Sequence, residues 1–307
     1  MPVFSPTKMI LSICLLTLGA ACTKSINDVP PNNNAASPIE SSASTKNFKV
    51  QFQIGNLEVL NGRHANKEMP LKDYLKHLYY AAFDSTGRRV SKIEQDSSIN
   101  ELGATLGVIN DSLPAGKYTV MLIGTASWFA TDNSDTTLAS MYFKPLGGEA
   151  FFKKITITVG EADTAISNIR LERVTGELEL RLTDTLSSEI TWVSVIVNYL
   201  DQAYYVAADT LGQWGASSQG VPYSRDVNPL VSIKLSILGS DAKQQIVLHA
   251  YDKNGAKIYQ KLIKDVVIKP NQKLILQGDL AAQDSTVAGQ PVIFDPDYAG
   301  EPIIKNF

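Results

Sequence analysis

Phe48, Val50, Phe52 and Ile54 alternate with Lys49, Gln51 and Gln53, so one side of this segment is apolar and the other polar. A period of two marks a half-buried β-strand. Segments of the same kind recur along the chain, at Leu78–Phe83, Tyr118–Ile123, Phe151–Val159, Ile166–Leu171, Glu177–Leu182 and Trp192–Val197. They continue at Gln202–Val206, Val231–Ile237, Gln245–Tyr251, Lys257–Ile263 and Lys273–Leu276. Turn signals separate them, among them Asp84-Ser85-Thr86-Gly87, Pro114-Ala115-Gly116 and Asp252-Lys253-Asn254-Gly255. One short helix is predicted, opening at Pro70 with Leu71, Tyr74, Leu75 and Leu78 at helical spacing. Many short strands with almost no helix predict an all-β chain built of β-sandwiches.

One stretch repeats. Tyr80-Ala-Ala-Phe83-Asp84-Ser-Thr-Gly87-Arg-Arg-Val90 matches Leu248-His-Ala-Tyr251-Asp252-Lys-Asn-Gly255-Ala-Lys-Ile258, 168 positions further on. The shared chemistry is a hairpin, with an aspartate to cap the turn and a glycine for the backbone angle others resist. Comparable places in the two halves predict two related sandwiches, residues 47–174 and 175–280, joined near Arg173–Gly176.

The polar and apolar pattern changes at both ends. Lys8 precedes an apolar run from Met9 to Leu18, then the small residues Gly19, Ala20 and Ala21, then Cys22. This is a secretory signal, residues 1–21, and too short to span a bilayer. A cysteine at the cut makes it a lipoprotein signal, with Cys22 acylated as the first residue of the mature chain. Residues 22–46 are rich in Pro, Asn and Ser and read as a flexible tether. Residues 281–307 form a tail, in which Pro291, Pro296 and Pro302 surround Val292-Ile293-Phe294 and Ile303-Ile304, a pattern of extended chain.

Cys14 leaves with the signal, so an acylated Cys22 leaves no thiol for a disulfide, a metal or catalysis. The formal charge moves from −3 to −4 when Lys8 is removed, with no basic block, which argues against nucleic acid as a partner. His64, His77 and His249 fall outside metal-ligand spacing, and no cofactor fingerprint appears. Gly215-Ala-Ser217-Ser218-Gln-Gly220 approaches a nucleophile elbow, but its second glycine comes one residue late. Asp132 and Asp135 lie in a polar loop without the ligand density of a calcium site. The residues predict no enzyme, no metal and no cofactor.

Several motifs in order carry a resemblance. They are the first strand Phe48–Ile54, the helix-to-hairpin segment Leu75–Val90 and the turn Leu113-Pro114-Ala115-Gly116-Lys117-Tyr118. The junction Ile169-Arg170-Leu171-Glu172-Arg173-Val174-Thr175-Gly176-Glu177-Leu178 completes the set. Together they resemble the fimbrillin family of Bacteroidota lipoproteins over residues 46–280. The resemblance implies two tandem transthyretin-like Greek-key sandwiches and a fimbrial anchor or minor subunit that assembles with other fimbrillin-like subunits by strand exchange. It also implies outer-membrane attachment through the lipid on Cys22, at the cell surface. In shaft subunits of that family the first strand is removed after an arginine, and Arg63 lies where such a cut would fall; a solvated loop arginine is the plainer reading. The alternative of another class is a lipid-anchored glycan-binding sandwich, with Trp128, Trp192, Tyr204, Tyr205 and Trp214 as stacking candidates.

Overall fold

The alternating segment at Phe48 becomes β1 (Asn47–Leu57), with Phe48, Val50, Phe52 and Ile54 all buried. The structure is a computed structural model and describes residues 46–57, 71–97, 106–131, 136–227, 230–280 and 303–307. One helical turn, α1 (Leu71–Tyr74), follows and ends before Leu78, which belongs to the next strand. Then come β2 (His77–Phe83), β3 (Arg89–Asp96), β4 (Val108–Pro114), β5 (Gly116–Thr125), β6 (Phe129–Thr131), β7 (Tyr142–Pro145), β8 (Ala150–Val159) and β9 (Thr164–Arg173).

β1 lies between β4, antiparallel, and β9, parallel. The facing layer runs β3-β2-β5-β8, antiparallel throughout. A short pairing of β8 with β9 at Phe151 and Phe152 joins the layers at one corner. Between them the β1 side chains meet Leu78 and Tyr80 of β2, Val120 and Leu122 of β5, and Leu171 of β9. The Tyr80 hydroxyl donates to Asp111 at 2.8 Å and so ties β2 to β4 across this core; its burial pushes the phenol pKa up.

The second part of the chain repeats the plan. It comprises β10 (Thr175–Leu182), β11 (Ile190–Tyr205), β12 (Thr210–Pro222), β13 (Ser232–Leu238), β14 (Gln244–Asp252), β15 (Lys257–Val266) and β16 (Lys273–Gly278). β10 sits antiparallel to β13 and parallel to β16, as β1 does to β4 and β9. The layer β12-β11-β14-β15 corresponds, in chain order, to β3-β2-β5-β8. A second apolar core fills the space between these layers.

The topology corrects the reading of the sequence repeat. The Asp84 turn joins β2 to β3, whereas the Asp252 turn joins β14 to β15, whose counterparts are β5 and β8. The likeness is one of turn chemistry. Asp84 Oδ1 accepts the N–H groups of Thr86 and Arg88 at 2.9 and 3.0 Å, and Asp252 Oδ1 accepts those of Asn254 and Ala256, both at 2.8 Å. Gly87 and Gly255 stand at φ +81° and +79°, which an L side chain resists. The same bend was solved twice, on strands that do not correspond.

β2 reads as an unbroken apolar run because both its faces are covered. Its outward side chains Tyr79, Ala81 and Phe83, with Met121 and Ile123 of β5, form a third core beneath Phe143 of β7 and Val206. β11 is therefore longer than its two separate sequence segments suggested. Its first part pairs with β14, then the strand passes a bulge at Tyr199 (φ +60°), and Tyr204–Tyr205 pair with β7. β12 follows β11 along this whole length. The ribbon tip is held by Lys154 of β8, whose ammonium donates to the Val206 carbonyl at 2.9 Å and pairs with Asp209 at 2.6 Å. Residues 45–307 thus form one compact unit.

Arg173 ends β9 at the centre of this arrangement. It is 3% exposed, ion-paired with Glu149, and lies 5.8 Å from the centroid of the Phe151 ring. Burial lowers its pKa, and Glu149 opposes that shift. The adjoining Val174 donates its N–H to the Ala150 carbonyl at 3.0 Å and accepts the Gly239 N–H at 3.0 Å, so the backbone is fixed from both sides. Breaking a buried pair costs about 3–5 kcal/mol, and Glu149 is exposed enough to recover some hydration. Arg173→Met is expected to cost about 3 kcal/mol. That corresponds to roughly 6–12 °C in Tm for a chain of this size. Calorimetry giving an unchanged Tm would refute a stabilising role for the pair.

Candidate strand-exchange interface

β1 occupies a groove with a partner on each side. Seven residue pairs, Asn47↔Pro114 to Gln53↔Val108, join it to β4, and Val50–Leu57 run beside Thr164–Leu171 of β9. Every second side chain enters the core, so a slip of one residue would turn Phe48, Val50, Phe52 and Ile54 to solvent and bury Lys49, Gln51 and Gln53. The polar face is fitted to the register as well. Gln51 donates to Asn110 at 2.8 Å, and the Lys49 N–H reaches Asp163 at 2.9 Å. This slot is built for one strand in one register.

A second strand position lies at the other end of the chain. Ile303–Asn306 form β17, parallel to β16, in the pairs Leu274↔Ile303 to Gln277↔Asn306. The extended tail read from the sequence is thus a strand over its last residues. Val292, Ile293 and Phe294 lie outside the described residues. The Phe307 N–H donates to Gln277 at 2.9 Å, Gln277 donates to Asn306 at 2.8 Å, and Lys261 stands 5.0 Å from the Phe307 ring centroid. Ile304 remains half exposed, and among the described residues no strand pairs with the far side of β17.

The layer that receives β17 is locked by charge. Glu179 of β10 is 4% exposed and receives Arg181 at 2.6 Å, Lys273 of β16 at 2.7 Å and Ser232 of β13 at 3.2 Å. Burial pushes its pKa up, but the bonds from Arg181 and Lys273 outweigh that and bring it down to about 2. Three strands are tied through one carboxylate beside the tail position.

Cys22 and Arg63, the lipidation and processing residues expected from the sequence, lie outside the described residues. So do His64, Asp132 and Asp135. His77 faces Asp96 at 3.3 Å and stacks against Trp128, while His249 bonds Tyr251 at 3.0 Å. Ser217 and Ser218 stand mid-strand on β12, opposite Val197 and Ile196, where no strand-to-helix elbow exists. Among the described residues, no three His, Cys, Asp or Glu side chains group as metal ligands, and no helix is long and apolar enough to cross a membrane. Of the aromatic candidates, Tyr204 packs between Phe143 and Phe152, and Tyr205 lies against Tyr142. Trp128 and Trp192 remain open to solvent, 67% and 42% exposed.

The sequence model of the fimbrillin-A associated anchor proteins Mfa1 and Mfa2 matches residues 39–294. The chain belongs to this family of fimbrial anchor proteins. Among solved structures it is similar to a candidate polysaccharide-binding protein from Bacteroides thetaiotaomicron, with 15% identity and a TM-score of 0.51 over 69% of this chain and 79% of that one. It is also similar to the fimbrial anchor protein Mfa2 from Porphyromonas gingivalis, at 13% identity and a TM-score of 0.44 over 72% and 83%. A fimbrial assembly protein from Parabacteroides distasonis aligns at 11% identity and a TM-score of 0.40, over 78% and 92%. Among curated proteins nothing matches. Membership gives the chain a fimbrial, cell-surface setting among other fimbrial subunits.

Proposed function

We propose that this chain is an anchor or minor subunit of a surface fimbrium, held in the outer membrane by the lipid on Cys22 and joined to its neighbour by strand exchange. Its mature part divides at Val174 into two sandwiches, residues 47–174 and 175–280, behind a tether at 22–46. The observation that carries the reading is the contrast between its two strand positions. β1 is paired on both sides along its length, whereas β17 is four residues long and edge-placed. A subunit at a fibre base keeps the first slot filled and uses a short, exchangeable edge to meet one neighbour. Cleavage after Arg63 would cut the chain between β1 and α1, and in an anchor this bond stays intact.

The test is co-assembly in solution. Lipid-free residues 46–307 and the same chain lacking 303–307 are each mixed with a purified fimbrillin shaft subunit and resolved by size. The full form is expected to bind, and the shortened form to bind roughly tenfold or more weakly, since each ladder bond contributes about 1 kcal/mol. Equal binding by both forms would reject the tail as the joining strand, and no binding by either would reject the subunit reading.

A further inference from the structure

The layers β3-β2-β5-β8 and β12-β11-β14-β15 correspond, yet their outer faces differ in fate. The first is roofed by β7 and the end of β11, and its side chains Tyr79, Ala81 and Phe83 are dry. Over the second, the equivalent positions of β11 carry Trp192, Ser194 and Ile196, half-buried or exposed. The row at Ile196, Val247 and Leu262 is apolar, and the two rows beyond it are aromatic and polar.

Trp192 stands opposite Tyr251 of β14, so the two aromatic side chains are cross-strand neighbours. The indole edge formed by Nε1, Cε2 and Cζ2 lies over Gly220 of β12, where an added Cβ would stand 2.5 Å from Nε1. Gly220 therefore permits the close approach of the indole edge, and Trp192 stays 42% exposed. The next row of the sheet is polar. It places Ser194, His249 and Gln260 side by side across three strands.

These groups are ordered before any ligand arrives. His249 bonds the Tyr251 hydroxyl at 3.0 Å, and Lys257 donates to the Gln260 carboxamide oxygen at 2.5 Å. Burial and the nearby Lys257 hold the His249 pKa below its ordinary value, so the ring is neutral at neutral pH, and its tautomer sets which partner donates in the Tyr251 hydrogen bond. Lys257 is the one charged residue in these two rows, and its charge is already engaged with Gln260. A flat aromatic surface beside a row of neutral hydrogen-bonding groups suits a pyranose ring, which has an apolar C–H face and a rim of hydroxyls.

From this arrangement we infer that the outer face of β12-β11-β14-β15 binds a neutral polysaccharide, with sugar rings stacked on Trp192 and Tyr251 and their hydroxyls bonded to Ser194, His249 and Gln260. The site is independent of the strand-exchange reading. It lies on the layer opposite the one that carries β17, so either can fail without the other.

The test uses residues 46–307 in native gels containing soluble neutral polysaccharides, namely β-glucan, xylan and mannan, each run against a non-binding control protein. Retardation by at least one of them is expected. Trp192→Ala should weaken binding about tenfold, the scale of one lost aromatic stack with its buried area. Tyr251→Ala should weaken it less, and Trp192→Tyr should restore part of it. Gly220→Val, which lifts the indole while leaving it present, should weaken binding as Trp192→Ala does, with Tm recorded to confirm folding. Absence of retardation on all three polysaccharides, or retardation unchanged in the folded Trp192→Ala variant, would overturn the inference. So would loss of shaft-subunit binding in Trp192→Ala with no glycan bound, since that outcome assigns the face to protein.

Discussion

Deletion of Asn47–Leu57 is expected to leave residues 58–307 aggregated, and a peptide spanning residues 46–57 supplied in trans is expected to return them to solution. β1 is an interior strand, so its loss strips hydrogen-bond partners from β4 on one side and β9 on the other. It also exposes the walls that hold Phe48, Val50, Phe52 and Ile54. Each of these side chains contributes about 1.5–3 kcal/mol by burial, so the four together reach roughly 6–12 kcal/mol, comparable with the whole stability of a typical domain. The polar face sharpens the test. A peptide carrying Phe52→Asp should fail to rescue, whereas one carrying Lys49→Ala should still work, because Lys49 contributes its backbone N–H to Asp163. Light scattering and circular dichroism read the result. A deleted chain that stays monomeric, with the Tm of residues 46–307, would refute the groove.

That groove was legible from the sequence because it depends on a local rule. Alternation at Phe48–Ile54 specified which side chains point inward, and the core then accepted them. The Asp84 and Asp252 turns were legible for the same reason, since their hydrogen bonds close within four residues. Their placement was not. Two bends with one chemistry look like a repeat of domains until strand order reveals that one joins β2 to β3 and the other β14 to β15.

Long-range pairing hid the rest. β12 contains Gly212, Gly215 and Gly220 with two serines, a composition that disfavours strands. It is a strand because β11 supplies a partner along its whole length, and because Trp192, Gln202 and Tyr205 of β11 occupy the space over its glycines. The unbroken apolar run of β2 signalled burial on both faces but not its cover, which comes from β7 and from β11, far along the chain. Of the candidate aromatics whose side chains are described, Tyr204 and Tyr205 were absorbed into that packing and Trp192 and Trp128 stay exposed, while the Trp214 side chain lies outside the described residues. Arg173 appeared in the sequence as part of a junction motif. Only the fold gives its reason, a guanidinium enclosed between Glu149 and the Phe151 ring where β9 passes into β10.

Replacement of Cys22 by alanine is expected to move the whole protein out of the membrane fraction. Among the described residues no helix can cross a bilayer, and the tether between Cys22 and β1 has too few apolar side chains to bind lipid by itself. On the proposed reading, attachment rests on the acyl chains. One chain binds only marginally, and stable anchoring needs two or more, at about 0.8 kcal/mol for each buried methylene. Removing the acceptor thiol removes all of them together, so the effect is all or none and far exceeds any single side chain in the fold. The check is detergent-phase partitioning with metabolic lipid labelling. Wild type should partition with detergent and carry label, whereas Cys22→Ala should carry no label and be found in the aqueous phase or retained as unprocessed precursor. The fibres should respond with it, because a subunit that holds a fibre at its base cannot hold it once the lipid is gone: fimbriae should be shed into the medium. A processed Cys22→Ala protein that stays in the detergent phase without label would mean that another segment holds the membrane, and the lipid anchor would have to be abandoned.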